Sequence, residues 1–352
     1  MVPLYTALKE RLENVTIFKL NLQVLALVAW IGRHLRETNI GTLPHYKIGT
    51  IKNIMKLLVT LITSPERANI THRHVDHART ILDKAGCDST APLWLAENIS
   101  CEIGFEDTHP KRSLKFLQEE MKESEIDIVV QSQENRRKRL LLADMDSTIV
   151  VGETLDELAS FAGVKDQVAT ITERAMRGEI DFKSALRERV SMLKGLSADT
   201  MEKCLNNTKL MKGASTLVKT MRANGAYTIL VSGGFSFFTQ AIAKLVGFNE
   251  ERSNTMIIEH GALTGQISEP ILDRQAKLET LKTISKEKGI PLIDTIAIGD
   301  GANDLPMILN AGIGVAFHAK PVVEKKAPAA IRFGDLTALL YLQGYRQKEF
   351  VD

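Results

Sequence analysis

Short apolar runs that alternate with helical stretches constrain the fold of this chain more than any other feature of its sequence. From Leu140 onward each run is only a few residues long, and the chain between two runs has room for at least one helix. Continuous apolar runs of this kind are typical of parallel strands that helices cover on both faces. The sequence therefore predicts a doubly wound α/β domain over residues 140–352. The predicted strands are 140–143, 227–231, 295–298 and 313–317, with 331–333 as a fifth.

A long helical insertion separates the first two of these strands. It runs from about residue 153 to residue 210, and Asp181 and Ser197 within it are residue types that cap the start of helices. An insertion of this length, placed directly after the first strand, predicts a small helical cap above the carboxyl ends of the strands.

Residues 55–133 follow another pattern, with the order βαββαβ. The predicted strands are 57–62, 92–98, 99–105 and 126–130, and the predicted helices are 75–84 and 114–121. This order describes a ferredoxin-like α+β sandwich, a fold that is often used for small-ligand binding or dimerisation. Three histidines at the start of the first helix, His72, His74 and His77, fit a solvated helix surface better than a metal site.

Residues 1–54 have no assigned function. Met55 comes directly before the first regular strand, so we expect residues 1–54 to be a loosely attached extension, or Met55 to be the true start. The most apolar stretch of this segment, from Leu20 to Gly32, is shorter than the roughly 20 residues that a membrane-spanning helix requires. We expect an amphipathic or packed helix there, with a membrane-associated helix as the less favoured alternative, and no membrane partner.

Composition limits the partners and the compartment. The formal net charge is +2, with basic and acidic residues interspersed, so a nucleic-acid partner is not expected. The one basic run, Arg136 to Arg139 within residues 134–139, predicts a solvated linker between the two domains. The three cysteines lack metal-ligand spacing and are odd in number, which indicates a reducing cytoplasm and no disulfide framework.

Polar residues stand where the predicted parallel strands end. Ligands of an open parallel sheet bind beyond the carboxyl ends of its strands. The first strand ends in Asp144 and Asp146, the second in the run Ser232 to Gly234, and the third in the run Gly299 to Asp304. Lys277 lies between the second and third strands, on a predicted helix. Each motif alone is a common turn or surface feature, but their joint placement at the strand ends favours a functional site.

This set of side chains suits phosphoryl transfer. One carboxylate can attack phosphorus and a second can move the proton of the leaving group. Attack by an anion on a phosphate meets repulsion, which Lys277 and a divalent cation would reduce. Oxygen ligands from Asp144, Asp300 and the main-chain carbonyl of Asp146 indicate Mg²⁺. Ser232 and the glycine amides that follow it can bind the remaining phosphate oxygens.

The same motifs resemble the haloacid dehalogenase-like phosphohydrolases over about residues 138–335. The resemblance implies that Asp144 is the nucleophile that becomes an aspartyl-phosphate, and that Asp146 is the general acid and base. It implies Asp300 as a Mg²⁺ ligand, Ser232 and Lys277 as phosphate contacts, and Asn303 and Asp304 as support for the metal and phosphate.

The cap is similar to that of family members that hydrolyse O-phosphoserine. This resemblance implies five substrate contacts, which are Glu153, Met176, Phe182, Arg189 and Gly233. Phosphoserine carries an ammonium and a carboxylate besides its phosphate, so an acidic and a basic contact are both needed, and Glu153 and Arg189 supply them. Phe182 and Arg189 are seven residues apart in a helical stretch and therefore lie on one face.

Three other interpretations stay open. The phosphoryl group could pass to another alcohol such as homoserine, or the substrate could be another small phosphomonoester. A non-catalytic amino-acid sensor is disfavoured, since a binding protein has no need of a nucleophile.

Residues 55–133 resemble the ACT-type regulatory domains in element order, which implies a homodimer or an amino-acid effector such as serine.

Overall fold

The computed structural model describes residues 54–352 apart from residues 177 and 178. The expectations for residues 1–53, including the apolar stretch from Leu20 to Gly32, lie outside the described residues. Within the described ranges, no helix combines the length and the apolar character needed to cross a bilayer.

The N-terminal domain, residues 55–133, has the predicted βαββαβ order. Its elements are β1 (Met55–Ile62), α1 (His72–Lys84), β2 (Leu93–Ala96), β3 (Ser100–Asp107), α2 (Pro110–Glu120) and β4 (Asp127–Ser132). The four strands form one sheet in the order β2-β3-β1-β4, and every neighbouring pair is antiparallel. This order confirms the prediction of a ferredoxin-like sandwich.

The three histidines of α1 and the three cysteines differ in exposure. His72 and His77 are exposed on α1, and His74 is half-buried, with its Nδ1 lying 3.2 Å from the main-chain nitrogen of Thr71. All three cysteines, Cys87, Cys101 and Cys204, are buried and unpaired.

Both faces of the N-terminal sheet are buried. Side chains alternate along a strand, so Leu57, Val59 and Leu61 of β1 pack beneath the two helices. Ile62, on the opposite face, belongs to the same apolar cluster as Leu339 and Tyr345 near the C-terminus of the chain. The sheet therefore uses its second face to pack against the C-terminal domain, residues 140–352.

The basic run between the domains is only partly solvated: Arg137 and Arg139 are exposed as predicted, whereas Arg136 is half-buried and Lys138 is buried. The Arg136 guanidinium pairs with the buried carboxylate of Glu102 and donates to the carbonyls of Tyr341 and Leu342, each at 3.2 Å. Lys138 is also buried, and its Nζ donates to the carbonyl of Ile293 at 2.8 Å. A sequence displays the charges of such a run, but not the carbonyl acceptors that tertiary packing brings to it.

A second buried carboxylate joins the domains. Asp127, at the start of β4, accepts hydrogen bonds from the main-chain N–H groups of Arg332, Phe333 and Gly334 at 2.7, 3.0 and 2.7 Å. These three residues follow the edge strand of the C-terminal sheet. The N-terminal domain is therefore attached through specific polar contacts as well as apolar packing.

The C-terminal domain is built on a six-stranded parallel sheet. Its strands are β5 (Leu140–Ala143), β6 (Tyr227–Phe235), β7 (Glu250–Asn254), β10 (Thr295–Gly299), β11 (Ile313–Phe317) and β12 (Ala329–Ile331). Their order in the sheet is β12-β11-β10-β5-β6-β7. Its helices outside the cap are α7 (Ala214–Ala223), α8 (Ser236–Val246), α9 (Arg274–Glu287), α10 (Leu305–Asn310), α11 (Pro321–Glu324) and α12 (Ala338–Leu342).

This sheet confirms the predicted doubly wound domain, with two differences. The fifth predicted strand lies two residues earlier than expected, at Ala329–Ile331. The sixth strand, β7, was missed because Glu250–Asn254 consists of polar and charged residues, whereas the pattern for buried strands requires an apolar run. An edge strand has one neighbour only and is partly solvated, so polar residues are tolerated there.

The predicted cap consists of four helices. They are α3 (Thr154–Phe161), α4 (Lys165–Met176), α5 (Phe182–Ser191) and α6 (Ala198–Asn207). Asp181 and Ser197 cap α5 and α6 as expected, by accepting from the N–H groups of Ser184 and Asp199. The two ends of the insertion pair with each other, since Val151 N–H donates to Lys209 and Met211 N–H donates to Ile149, each at 2.8 Å.

A β-hairpin that the sequence did not predict contacts the cap. Its strands are β8 (Met256–Glu259) and β9 (Ala262–Ile267), and its two-residue turn has positive φ at His260 and Gly261. Such a turn matches the right-handed twist of the strands it connects. The N–H of Gly195 donates to Leu263 at 2.8 Å, and the N–H of Leu263 donates to Leu196 at 2.9 Å. The hairpin is therefore hydrogen-bonded to the loop between α5 and α6.

The buried interdomain ion pair generates a stability prediction. Arg136→Ala leaves the Glu102 carboxylate buried without its cation, so the free energy of unfolding should fall by about 3 kcal/mol. The matched control is Lys212→Ala, which breaks the interdomain pair of Lys212 with Glu66, in which the two side chains are 66% and 65% exposed. It should cost less than about 1 kcal/mol. Urea denaturation of both variants measures the difference, and equal losses would contradict the importance of the buried pair.

Candidate active site

Three neighbouring strands of the C-terminal sheet bring the predicted residues together. In the sheet order, β5 lies between β10 and β6. Asp144 and Asp146 follow β5, Ser232 lies near the end of β6, and Asp300 follows β10. The strands are parallel, so these carboxyl ends meet at the same edge of the sheet, beneath the cap.

Lys277 forms ion pairs with carboxylates in the loops that follow β5 and β10. Its ammonium donates to Asp144 Oδ1 and to Asp304 Oδ1, each at 2.6 Å, and only 1% of its side chain is exposed. Although burial disfavours the charged form, the two carboxylates outweigh it and raise the pKa of Lys277. The lysine therefore stays protonated and supplies a fixed positive charge beside Asp144.

Three carboxylates form a site with the character of a metal centre. Oxygen atoms of Asp144, Asp300 and Asp304 all lie within 4.8 Å of one another. Carboxylate oxygens are the ligands that hard divalent cations prefer, so the donor set fits such an ion. Asp304 was predicted only as support for the metal, and it lies in the same cluster. The predicted contribution of the Asp146 carbonyl stays a prediction.

Two glycines allow this crowding. A Cβ atom on Gly299 would lie 2.3 Å from Asp304 Cγ, and one on Gly234 would lie 3.0 Å from Asp146 Oδ2. Atoms that are not bonded to each other do not approach so closely without displacement. A side chain at Gly299 would therefore displace Asp304, and one at Gly234 would require Asp146 or Ser232 to shift by a few tenths of an ångström.

Asp146 has surroundings unlike those of Asp144. Its Oδ1 accepts from the N–H of Thr154 at 2.9 Å, and the Ser232 hydroxyl donates to its Oδ2 at 3.4 Å. Burial, and then the negative charge of Glu153, raise the pKa of Asp146 to about 6. A carboxyl group with this pKa can both hold and release a proton near neutral pH.

Asp144 and Asp300 also lie in surroundings that disfavour their negatively charged forms. Burial and then the charge of Asp304 raise the pKa of Asp144, against the opposing effect of Lys277. Burial, followed by the charges of Asp304 and Glu153, raises the pKa of Asp300 to about 6. A bound cation would relieve this excess of negative charge.

Ser232 lies beside Asp146. It is almost fully buried, and its Oγ accepts from the N–H of Gly234 at 2.8 Å while it donates towards Asp146. The hydroxyl and the adjacent main-chain amides form a short polar loop next to this carboxylate. The phosphate contact expected of Ser232 stays a prediction.

The cap brings one of its predicted substrate contacts, Phe182, next to this loop. The ring of Phe182 lies against Gly233, since a Cβ there would be 3.4 Å from Phe182 Cζ. Glu153 is exposed at the start of α3 and accepts from the Ser147 hydroxyl at 3.0 Å. Met176 ends α4, and its side chain lies outside the described residues.

Arg189 is a guanidinium without a full set of partners. Its Nε is buried and has no hydrogen-bond partner among the residues that the structure describes. Burial lowers the pKa of Arg189, and the negative charges of Asp156 and Glu153 oppose this effect. A buried N–H group without a partner is uncommon in folded proteins and indicates that a ligand can supply the missing acceptor.

Two contributors to the site were missed at the sequence level. The main-chain N–H of Thr154 binds Asp146, and the side chain of Asn254 binds the main chain of Gly233. A main-chain donor leaves no signal in a sequence. Asn254 ends the polar strand β7, and recognition of that edge strand would have placed it beside the other strand ends.

Comparison with known protein families agrees with this geometry. A family model described as haloacid dehalogenase-like hydrolase matches residues 141–309. A phosphoserine phosphatase of Streptococcus thermophilus is 47% identical over 199 residues, which are 56% of this chain and 93% of that protein. The chain therefore belongs to the haloacid dehalogenase-like hydrolases. Its curated relatives within that family are named phosphoserine phosphatases.

For other curated relatives the match spans only part of the relative. A phosphoserine phosphatase of Archaeoglobus fulgidus is 44% identical over 227 residues, which are 64% of this chain and 66% of that protein. Across four curated relatives, including the Archaeoglobus protein, the match spans 52% to 66% of the relative's length.

Two solved structures resemble this one. A HAD family hydrolase of Salmonella enterica serovar Typhi covers 81% of this chain and 98% of its own, with 28% identity and a TM-score of 0.73. A phosphoserine phosphatase structure with a phospho-aspartyl intermediate analogue covers 58% of this chain and 98% of its own, with 40% identity and a TM-score of 0.55. The first match is longer than the C-terminal domain alone and so extends to the N-terminal domain.

The raised carboxyl pKa values predict that cation binding releases protons. At about pH 6, Mg²⁺ should displace protons from the acidic cluster, and its affinity should rise between about pH 5 and pH 7. In the metal-free protein, a carboxyl pKa above its unfolded value of 3.8 means that stability falls as pH rises through about 6, and Mg²⁺ should restore it.

Calorimetric titration with Mg²⁺ in two buffers of different ionisation enthalpy measures this proton release. Asp300→Asn is the control variant, because it removes a carboxyl whose pKa is about 6, and it should bind Mg²⁺ more weakly with less proton release. Identical heats in the two buffers for the unsubstituted protein would contradict the prediction.

Proposed function

We propose that this protein is a Mg²⁺-dependent phosphatase that hydrolyses O-phosphoserine to serine and phosphate through an aspartyl-phosphate. The observation that carries the proposal is the different surroundings of two neighbouring carboxyl groups. Asp144 Oδ1 accepts from the Lys277 ammonium at 2.6 Å, whereas Asp146 accepts from the N–H of Thr154 and the hydroxyl of Ser232 and has a pKa of about 6. The ammonium places a positive charge beside Asp144 as the nucleophile, and the pKa of Asp146 suits a group that carries a proton near neutral pH.

The reaction has two halves. In the first, an oxygen of Asp144 forms a bond to phosphorus while the bond from phosphorus to the serine oxygen breaks, and Asp146 gives its proton to that oxygen. In the second, a water oxygen bonds to phosphorus while the bond to Asp144 breaks, and Asp146 takes the proton of the water. Both carboxyl groups return to their starting states, and no oxidant or other co-reactant is needed.

The remaining groups reduce the charge repulsion of these steps. Lys277 Nζ lies 2.6 Å from Asp144, where it can also bind a phosphate oxygen as negative charge is redistributed. Ser232 and the amides around Gly233 can bind further phosphate oxygens. A divalent cation on Asp144, Asp300 and Asp304 would supply additional positive charge and would orient the phosphate.

The cap supports the amino-acid part of the substrate. The carboxylate of phosphoserine would supply an acceptor for Arg189 Nε, which has none among the described residues, and the ammonium of the substrate would pair with Glu153. The ring of Phe182, which lies beside Gly233, would cover the ligand. The names of the curated relatives support the same substrate.

The roles expected of the N-terminal domain stay predictions. One face of its sheet is buried against the C-terminal domain, so an isolated fragment would expose apolar side chains such as Ile62 and Val129. Serine binding and dimerisation are therefore to be measured on the full chain. Calorimetric titration of the Asp144→Asn variant with serine tests serine binding, and light scattering tests dimerisation. A monomer that binds serine at one site only would contradict both roles.

The central test is phosphate release from a panel of phosphomonoesters with Mg²⁺, in the presence and absence of homoserine. Phosphoserine should have the highest kcat/KM, and homoserine should leave phosphate release unchanged. Asp144→Asn should lose turnover by at least about a thousandfold while it keeps the thermal unfolding profile of a folded protein. Appreciable residual turnover in that variant would exclude Asp144 as nucleophile, and accumulation of phosphohomoserine would indicate a transferase.

Substrate choice by the cap can be tested with Arg189→Ala. This variant should lose about 100-fold in kcat/KM for phosphoserine, because truncation leaves the substrate carboxylate without its cation. It should lose little for phosphoethanolamine, which has no carboxylate. Arg187→Ala is the matched control, since Arg187 is on the same helix but pairs with Glu269 at the surface. Equal losses for the two substrates would exclude Arg189 from carboxylate recognition.

A further inference from the structure

Asn254 lies where three parts of the site meet. It is the last residue of β7, and only 2% of it is exposed. Its side-chain Nδ2 donates to the carbonyls of Gly233 at 2.9 Å and Leu272 at 3.2 Å, and its Oδ1 accepts from the N–H of Leu272 at 2.7 Å. Both donors and the acceptor of one carboxamide thus bind the main chain of two separate segments.

The bond to Gly233 supports the phosphate-binding loop. Strands β6 and β7 pair at Val231 with Arg252 and again at Phe235 with Asn254, so residues 232–234 of β6 lie opposite the single residue Ser253. This bulge takes the loop out of the regular ladder. The side chain of Asn254 binds the bulge at its centre, between the Ser232 hydroxyl and the Gly234 amide.

The bonds to Leu272 support the position of Lys277. Leu272 comes directly before Asp273, whose side chain caps α9 by accepting from the N–H groups of Gln275 and Ala276. Lys277 follows in the first turn of this helix, and its ammonium reaches Asp144. A displacement of Leu272 would therefore move the start of α9 and with it the ammonium.

The two hydrogen bonds between Asn254 and Leu272 also join the two ends of the hairpin formed by β8 and β9. The hairpin segment, residues 255–271, begins directly after Asn254 and ends directly before Leu272. Its strand β9 is hydrogen-bonded to the cap through Leu263. One carboxamide therefore connects the phosphate-binding loop, the lysine helix and the hairpin that contacts the cap.

We propose that Asn254 is a positioning residue for the reaction proposed above: it holds the Ser232 to Gly234 loop and the Lys277 helix at the separation that a phosphate requires. The hydrogen bonds of its side chain go to Gly233 and Leu272 and not to Asp144 or Asp146, so it acts through the main chain of its two partners. The inference rests on the proposed function for its kinetic consequences, whereas its effect on phosphate binding can be measured without turnover.

The test compares Asn254→Ala with the matched control Asn249→Ala. Asn249 lies directly before β7, and its Oδ1 accepts from the N–H and the hydroxyl of Thr228 at 2.9 and 3.0 Å, away from the strand ends that form the site. Calorimetry gives the Kd of inorganic phosphate with Mg²⁺, kinetics give kcat and KM for phosphoserine, and circular dichroism gives the folded fraction.

We expect Asn254→Ala to weaken phosphate binding about 10-fold and to lower kcat/KM about 100-fold, with both values corrected for the folded fraction. Asn249→Ala should keep wild-type values for both quantities. If Asn254→Ala does not fold, Asn254→Gln makes the same test, since it keeps both polar groups on an arm one methylene longer. Wild-type phosphate affinity and KM in the folded Asn254 variant would overturn the inference. Absence of phosphoserine hydrolysis by the wild-type protein would overturn the proposed function, and phosphate affinity would still decide the role of Asn254.

Discussion

The contact between the Lys277 ammonium and the carboxylates of Asp144 and Asp304 is the interaction on which the rest of the site depends. Three carboxylates with oxygens within 4.8 Å of one another repel strongly in a buried environment, and the lysine is a positive charge held within hydrogen-bonding distance of two of them. Because it is buried and doubly bound, it has one position. α9 must therefore begin at a defined place, which requires the main chain around Leu272 to be fixed.

Hydrogen bonds that involve main-chain groups hold the side chains of the site in place. Thr154 presents its N–H to Asp146, Gly234 presents its N–H to Ser232, and Asn254 joins the loop of β6 to the start of α9. Groups held in this way need little rearrangement when charge moves during a reaction. The glycines at 234 and 299 have the complementary role, since any side chain there would push the carboxylates apart.

The N-terminal domain belongs to the same structural unit. Asp127 and Glu102 are buried carboxylates that receive their partners from outside their own domain, from the main chain after β12 and from Arg136. The loop after β12 also accepts from His318, whose Nε2 lies 2.9 Å from the carbonyl of Gly334. Two residues further on, the N–H of Lys320 donates to the carbonyl of Asp300 at 3.1 Å. The interdomain contact is therefore continuous with the acidic loop of the site.

Periodicity and strand-end motifs were sufficient to predict both domains, the cap and the grouping of Asp144, Ser232, Lys277 and Asp300, because side-chain alternation and parallel connections are local properties that a linear pattern records. They failed for β7, whose polar residues do not resemble a strand, and for Arg136 of the basic run, whose carbonyl acceptors come from residues more than 200 positions away. Amino-acid order alone thus specified which motifs lie at the strand ends, but not every group that contacts them. Folding in three dimensions decided their charge states and their supports, because burial and main-chain hydrogen bonds depend on distances between segments that no linear pattern contains.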